Sequence, residues 1–217
     1  MNRTIDNLLT KDVIPDFLIR QNIRKLLRQR LIDETKPNQE LQQQHLMRIV
    51  DELKNSPIAI ETKAANEQHY ELPTAFFQLV MGKHMKYSSC YWNASTPDLS
   101  AAENLALEKT CAHAELENGM KILELGCGWG SLTMFMAAKF PDAQITGVSN
   151  SATQKQYIDK TCAERGLKNV RIITADMNVF FLDEQFDRVV SVEMFKHKRN
   201  YDLLMEKIAR MLTSEGK

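Results

Sequence analysis

The feature that most constrains the fold is an alternation of short apolar segments with segments of helical periodicity, which runs from residue 121 to the end of the chain. Because strands that alternate with helices at this spacing pack with right-handed crossovers, the pattern predicts a parallel sheet. The predicted strands are residues 121–125, 144–148, 170–174 and 186–192, and the predicted helices are residues 131–139, residues 151–165 and a last helix with the apolar face Tyr201, Leu204, Ile208, Met211 and Leu212.

The start of the second predicted helix, Ser151-Ala152-Thr153-Gln154, has the pattern of a capping box. In that arrangement the serine oxygen and the glutamine side chain each bond a backbone amide that the first helical turn leaves unpaired.

The chain before this alternation has a different character. Residues 1–55 show apolar residues at helical spacing, interrupted at Pro37 and Asn38, and are predicted to form an N-terminal helical region. A run of five basic residues between positions 20 and 30 could contact an anionic membrane surface, but a solvated helix face is favoured because acidic residues flank the run. Residues 56–119 are mixed, and residues 120–217 carry the alternating core.

Composition excludes several classes of protein. The 28 lysines and arginines equal the 28 aspartates and glutamates, so the net charge gives no reason to expect a nucleic acid partner. The four cysteines form no close pair and have no histidine at zinc-ligand spacing, which predicts reduced thiols, no metal and a cytoplasmic protein. We also expect no signal peptide and no bilayer-spanning segment, since the latter needs roughly 20 apolar residues.

The segment 124–130, with the sequence ELGCGWG, joins the first predicted strand to its helix. Glycine lacks the Cβ that would keep a ligand away from the backbone, and the first crossover of such sheets is where nucleotides bind. A dinucleotide fingerprint would need glycine at Ser131 and an acid within residues 148–151, and the chain has neither. The spacing GxGxG, preceded by the acid Glu124, is instead the pattern of folds that bind S-adenosylmethionine, where the acid helps to place the cofactor's cationic end. A tight turn without a ligand is the alternative.

Two residues after the third predicted strand are further candidates. Asp176 stands where a side chain often contacts adenine, although a helix cap or a loop acid would also be found there. Met177 would suit the apolar wall of a purine site, or it would pack in the core.

Several separate stretches then carry a specific resemblance. ANEQHYELPTAFFQLVMGKHMKYSSCYW (65–92), LELGCGWG, GVSNSATQKQYID (147–159) and FDRVVSVEMFKHKRNY (186–201) resemble the cyclopropane fatty acid synthase superfamily, and within it the coclaurine and pavine N-methyltransferases. The resemblance implies an α/β fold: a Rossmann-like S-adenosylmethionine-dependent methyltransferase sheet, truncated after the fourth strand and its helix, with an N-terminal helical region. It also implies that residues 56–119 form a cap over the cofactor and the substrate.

The resemblance further implies roles for individual residues. Around the cofactor, Tyr87 and Ser88 would close over it, Gly126, Gly128 and Gly130 would receive its amino-acid part, Ser149 and Gln154 would hold the ribose, and Asp176 and Met177 would flank the adenine. Gln154 has the capping role as an alternative. The residues that would face a small-molecule acceptor amine are Glu71, Glu193 and His197, with Tyr70 beside them.

The chain departs from the family at two positions of this site. Lys196 stands where the family usually has a glutamate that works with the histidine, and Ser89 stands where it usually has a cysteine. In cyclopropane synthases those residues help to hold a bicarbonate that serves as base, so their absence argues against cyclopropane synthesis. Lys196 also places a like charge beside an ammonium substrate and a sulfonium cofactor.

A third departure concerns the end of the sequence, residues 213–217, which lies where the fifth of seven strands should begin. The fourth strand is then expected to present an exposed apolar edge, which predicts poor stability.

Three functions follow as hypotheses. The first is an S-adenosylmethionine-dependent N-methyltransferase acting on a small-molecule amine. The second is a cyclopropane-fatty-acyl-phospholipid synthase or another lipid methyltransferase. The third is a cofactor-binding protein without turnover.

Overall fold

The computed structural model describes residues 3–60 and 72–217, and the chain divides into two compact units, Met1–Glu52 and Leu53–Lys217. The helices that begin in the first unit are α1 (Arg3–Thr10), α2 (Asp16–Glu34) and α3 (Gln39–Lys54). The predicted break between α2 and α3 is confirmed, and the side-chain oxygen of Asn38 accepts a hydrogen bond from the Leu41 amide at 2.9 Å. This bond satisfies one of the amides that the first turn of a helix leaves unpaired.

A second break, between α1 and α2, corrects the sequence-based expectation of continuous helix up to Pro37. The chain leaves the helical conformation at Asp12, where φ is 52°, and resumes it after Pro15. Proline has no N–H to donate and disfavours the helical conformation in the residue before it, so a helix can begin after Pro15 but not run through it.

The second unit holds the sheet. Its elements are α4 (Thr74–Val80), α5 (Leu99–His113), β1 (Lys121–Leu125), α6 (Ser131–Lys139), β2 (Gln144–Ser149), α7 (Ala152–Arg165), β3 (Val170–Thr174), β4 (Arg188–Val190), a 3₁₀ turn (Phe195–His197) and α8 (Tyr201–Arg210). Among the described residues, the strands form one parallel sheet in the order β3-β2-β1-β4. The predicted α/β architecture is therefore confirmed.

Helices cover both faces of this sheet because successive strand residues point to opposite sides. On one face, Ile122 of β1 packs with Leu107 of α5 and Met136 of α6. On the other face, Leu123 of β1 packs with Leu204 of α8. The core of the second unit is thus a three-layer sandwich, whereas the apolar residues of α2 and α3 are not buried.

Strand β4 is shorter than the predicted 186–192. Phe186 makes only an isolated parallel bridge with Leu212, and the ladder with β1 runs from Arg188 to Val190. Beyond Val190 the Ser191 hydroxyl donates to the Leu125 carbonyl at 2.8 Å, and the backbone then turns away from the sheet. A side-chain bond therefore replaces the strand ladder at this point.

The outer edge of β4 is less open than the sequence led us to expect. The amide of Lys217 donates to the Asp187 carbonyl at 3.2 Å, and the Val189 amide donates to the Lys217 carbonyl at 2.9 Å. These two bonds have the alternation of a parallel ladder. Lys217 therefore satisfies two backbone groups of this edge.

The register brings the carboxyl ends of three strands together. Glu124 of β1 lies opposite Gly147 of β2 and Val190 of β4. In open parallel sheets the crevice beyond these ends is where ligands bind. Separately, none of the helices in residues 3–60 and 72–217 has both the length and the apolar content that crossing a membrane requires.

Candidate active site

The glycine turn after β1 is held against β2, because the amides of Gly126 and Cys127 both donate to the Val148 carbonyl at 2.9 Å. A Cβ at Gly126 would lie 2.6 Å from the Met194 side chain, so packing requires glycine there. Gly128 differs, since its φ is +54° and a Cβ would meet nothing within 4 Å. The backbone at Gly128 therefore borders open space, as the motif predicts for a ligand-binding turn.

That open space is a cavity of about 160 Å³ beyond the carboxyl ends of β1, β2 and β4. The residues that line it and were predicted from the sequence are Tyr87, Ser88, Glu124, Gly126, Gly128, Ser149, Gln154, Met177, Glu193 and His197. The cavity is thus lined by residues that are remote in sequence and come from the turn after β1, from α7 and from the loop after β4.

Three buried donors around this cavity lack a partner. Among the described residues, Trp129 Nε1, Ser131 Oγ and the amide nitrogen of Gln154, Nε2, make no hydrogen bond. All three residues line the cavity. Because a buried polar group without a partner costs roughly 1–3 kcal/mol, the cluster indicates a ligand that supplies acceptor atoms.

Glu124 lies beneath the turn and is 3% exposed. The Thr133 hydroxyl donates a hydrogen bond to its carboxylate. Burial raises the pKa of Glu124 to about 7, against a smaller opposing effect of the bond from Thr133. Glu124, which is predicted to hold the cofactor's cationic end, can therefore ionise near neutral pH when a positively charged group binds beside it.

The start of α7 corrects part of the predicted capping box. Ser151 does cap the helix, since its hydroxyl accepts from the Gln154 amide at 3.3 Å. The Gln154 side chain does not return to the Ser151 amide; its oxygen accepts from the Ser149 hydroxyl at 2.6 Å, and Ser149 accepts from the Ser151 amide at 3.1 Å. The Ser149 hydroxyl has replaced the glutamine as the partner of that amide, so the Gln154 amide nitrogen remains available to a ligand.

The loop after β4 carries charged residues. Glu193 has a φ of 61°, a left-handed conformation uncommon for a residue with a side chain. Its carboxylate accepts from Lys196 Nζ at 2.5 Å. This bond lowers the pKa of Glu193, and an interaction with the Ser89 backbone acts in the same direction. An ionised Glu193 thus connects the segment after α4 to the end of the sheet, and it lines the cavity with His197.

Two predicted cofactor residues are not among those that line the cavity. A Cβ at Gly130 would lie 2.7 Å from the Ile158 side chain, so this glycine faces α7. Asp176 accepts a hydrogen bond from the Asn178 amide at 2.8 Å, as a loop acid does. The predicted acceptor residues Tyr70 and Glu71 lie outside the described residues.

Sequence reasoning missed several residues of the cavity wall. Trp129 and Ser131 were within or next to the glycine motif, and their position alone could have marked them as donors. Lys86 could have been suspected from its neighbours Tyr87 and Ser88; its Nζ donates to the Ser89 carbonyl at 2.8 Å, and burial lowers its pKa. No local signal marks Thr110, which reaches the cavity only through the packing of α5.

Comparison with known proteins adds independent evidence. The sequence profile of the mycolic acid cyclopropane synthetase family matches residues 59–217. The (S)-coclaurine N-methyltransferase of Thalictrum flavum subsp. glaucum is 34% identical over 204 residues, which are 94% of this chain and 56% of that protein. The cyclopropane-fatty-acyl-phospholipid synthase of Escherichia coli (strain K12) is 36% identical over 152 residues, 69% of this chain and 38% of that protein.

A solved structure is also similar. The crystal structure of a coclaurine N-methyltransferase bound to N-methylheliamine and SAH superposes with a TM-score of 0.86 and 34% identity, over 98% of this chain and 62% of that chain. The chain thus spans less than two thirds of the length of each of these proteins.

Proposed function

The chain belongs to the mycolic acid cyclopropane synthetase family, and from that membership we propose that it binds S-adenosylmethionine and transfers a methyl group to the nitrogen of a small-molecule amine. One observation carries the proposal: a single cavity joins a glycine turn with buried unpaired donors to a wall that holds Glu193 and His197. The chain spans only part of the length of these relatives, so the whole activity is a proposal.

The residues present fit the cofactor. Its carboxylate and ribose oxygens are acceptors, and the three buried donors on Trp129, Ser131 and Gln154 need acceptors. The open side of Gly128 admits a group against the backbone. Glu124 provides a buried carboxyl for the cationic end.

Roles for the remaining residues are part of the proposal. Tyr87 and Ser88 close over the cofactor, Ser149 shares the ribose with Gln154, and Met177 packs against the adenine. These residues line the cavity, which supports the assignment. A contact of Asp176 with the adenine also belongs to the proposal, although this residue is not among those that line the cavity.

S-adenosylmethionine, when bound, supplies a methyl group that its sulfonium already activates. The protein has two tasks, alignment of the acceptor and removal of its proton. Alignment of the acceptor with the methyl group contributes several kcal/mol to such a displacement. His197 lines the cavity and suits the proton-accepting role near neutral pH, where a positioned base typically contributes ~10²–10⁴-fold. Glu193, held ionised, attracts the cationic amine, although it must share its charge with Lys196.

An amine acceptor is supported by the relatives, because the match to an N-methyltransferase covers 94% of this chain. The match to a cyclopropane synthase covers a smaller share, 69%. We also propose a cytoplasmic location, because Cys90, Cys111, Cys127 and Cys162 are all free thiols.

The test uses the 217-residue chain. Calorimetry should detect S-adenosylhomocysteine binding, and labelled S-adenosylmethionine should then be offered with a benzylisoquinoline amine or with unsaturated phospholipid. We expect label in the amine. Label only in the phospholipid would support the lipid enzyme instead, and cofactor binding without label in either would support a binding protein without turnover. Absence of cofactor binding by a folded chain would refute the proposal.

A further inference from the structure

The segment Gly82–Ser88 lies between α4 and α5 and supplies part of the cavity wall. Met85, Lys86, Tyr87 and Ser88 all line it. The backbone here is irregular, because Met85 has a φ of 54° although it is not glycine. Met85 is also buried against Phe77 and Trp129. Such a conformation persists only when surrounding contacts hold it.

Glu103 on α5 bonds the residues on both sides of Met85. Glu103 is 0% exposed, and its two carboxylate oxygens accept from two different amides of the segment: His84 N at 2.8 Å and Lys86 N at 3.2 Å. Gly82 lies against the same carboxylate, since a Cβ there would come within 2.6 Å of it. Three residues of the segment therefore surround one buried carboxylate.

Glu103 has no role in capping its own helix. The first turn of α5 is capped by Asp98, whose side chain accepts from the Ala101 amide at 2.9 Å. The bonds of Glu103 instead reach residues 17 and 19 positions earlier in the chain. Burying a carboxylate is costly unless its oxygens are bonded, so this residue is tied to the conformation of the segment.

We propose that Glu103 is a positioning residue that fixes the 82–88 segment as a wall of the cavity and thereby sets the affinity for the cofactor. The inference rests on the proposed function for the identity of the ligand, but its structural half concerns only this segment. Glu103 touches no reacting group; it acts through Lys86, Tyr87 and Ser88.

Glu103→Gln gives the sharpest test because it preserves length and removes one acceptor. One of the two amides then faces an NH₂ group, which is itself a donor. The matched control is Glu108→Gln on the same helix, where the carboxylate is 42% exposed and pairs with Lys139 at the surface. Gly82→Ala is a second variant, because its Cβ would lie 2.6 Å from the carboxylate and displace it without removing charge.

The measurements are amide hydrogen exchange and S-adenosylhomocysteine titration by calorimetry. In Glu103→Gln we expect exchange at His84 and Lys86 to accelerate at least about tenfold while β1 and β2 keep their protection, and the dissociation constant to rise about tenfold, the effect of losing one bond to a charged group. Glu108→Gln should match the wild type in both.

The inference is overturned if exchange and affinity in Glu103→Gln equal those of the control. It is also overturned if Glu103→Gln and Gly82→Ala both accelerate exchange throughout the sheet, since Glu103 would then stabilise the whole fold. A wild-type chain that does not bind S-adenosylhomocysteine would refute the proposed function, and exchange at His84 and Lys86 would still decide whether Glu103 positions the segment.

Discussion

The Thr133 hydroxyl donates a hydrogen bond to the buried carboxyl of Glu124, directly beneath the glycine turn. Thr133 is the third residue of α6, and Glu124 is the fourth residue of β1. The helix that follows the turn thus supplies a side-chain partner for the acid before it. This partner is neutral, so burial dominates and raises the pKa of Glu124 to about 7.

Cofactor affinity should therefore depend on pH. Below about pH 7 the Glu124 carboxyl is mostly protonated in the unliganded protein, and it must release that proton to form an ion pair with the ammonium group of the ligand's amino-acid part. We expect affinity for S-adenosylhomocysteine to increase about five- to tenfold from about pH 6 to about pH 7.5. Calorimetry in buffers of different ionisation enthalpy should show proton release, and Glu124→Gln should abolish both effects. A pH dependence unchanged in Glu124→Gln would assign it to another group.

The same carboxyl of Glu124 should lower the stability of the unliganded protein as pH rises, whereas it raises the affinity for the cofactor. Its pKa in the folded protein, about 7, exceeds its ordinary value of 4.5, so the stabilisation that it contributes is present below about pH 4.5 and is lost as pH rises through 7. Glu124→Gln keeps an acceptor for Thr133 and cannot ionise. Its free energy of unfolding, relative to the wild type, should increase by about 2–3 kcal/mol between about pH 5 and pH 8 in urea titrations. A constant difference across that range would contradict the assigned pKa.

Gly128→Ala should weaken cofactor binding far more than its effect on stability would suggest. Gly128 and Gly166 have similar positive φ values, 54° and 69°, and a Cβ at either would meet nothing within 4 Å. Both alanine variants should therefore lose about 1 kcal/mol of stability through backbone strain. Only Gly128 lines the cavity, so only its variant should lose affinity for S-adenosylhomocysteine, by at least about tenfold. Equal affinities for the two variants would show that the turn does not contact the ligand.

Ser131→Ala should stabilise the unliganded protein and weaken its complex. The Ser131 hydroxyl is buried without a partner among the described residues. Its removal should raise the free energy of unfolding by about 1 kcal/mol, since a buried unsatisfied donor is eliminated. If the hydroxyl bonds the cofactor, the dissociation constant should rise about five- to tenfold. Thermal melts with and without S-adenosylhomocysteine measure both quantities, and a variant stabilised equally in both conditions would exclude this contact.

The fold was predictable from sequence where the signal is local. The bounds of β1, α6 and β3 follow from apolar periodicity and agree with the structure. The end of β4 was overestimated because Ser191 bonds a neighbouring strand through its side chain, which periodicity does not report. The predicted bond from the Gln154 side chain to the Ser151 amide was wrong for a similar reason, since the Ser149 hydroxyl accepts from that amide instead.

The site was predictable to the extent that it lies in motifs. Gly126, Gly128, Tyr87, Ser88, Glu193 and His197 line the cavity, whereas the predicted Gly130 and Asp176 do not. Glu103 could not be found this way, because its partners are 17 and 19 residues away in sequence and only the tertiary packing brings them together.

The last prediction concerns Lys196, at whose position the family resemblance implies a glutamate. Its ammonium donates a hydrogen bond to the Glu193 carboxylate at 2.5 Å and lowers the pKa of Glu193. An acceptor amine must compete with this internal cation for the same charge. In Lys196→Glu the competitor is replaced by a second carboxylate, so a cationic amine should bind more tightly and be methylated faster. Because the pair is exposed, the gain should be modest, about three- to tenfold in kcat/KM.

Lys196→Gln separates the two contributions of that substitution, since it removes the competing cation without adding an anion. It should give an intermediate rate with the same amine. The affinity for S-adenosylhomocysteine serves as the reference, because Glu124 and the glycine turn are unchanged in both variants. Labelled methyl transfer to one benzylisoquinoline amine measures the series. Rates that stay equal across lysine, glutamine and glutamate would mean that the Glu193–Lys196 pair does not hold the amine, and the acceptor would then have to be oriented by His197 and other residues of the wall.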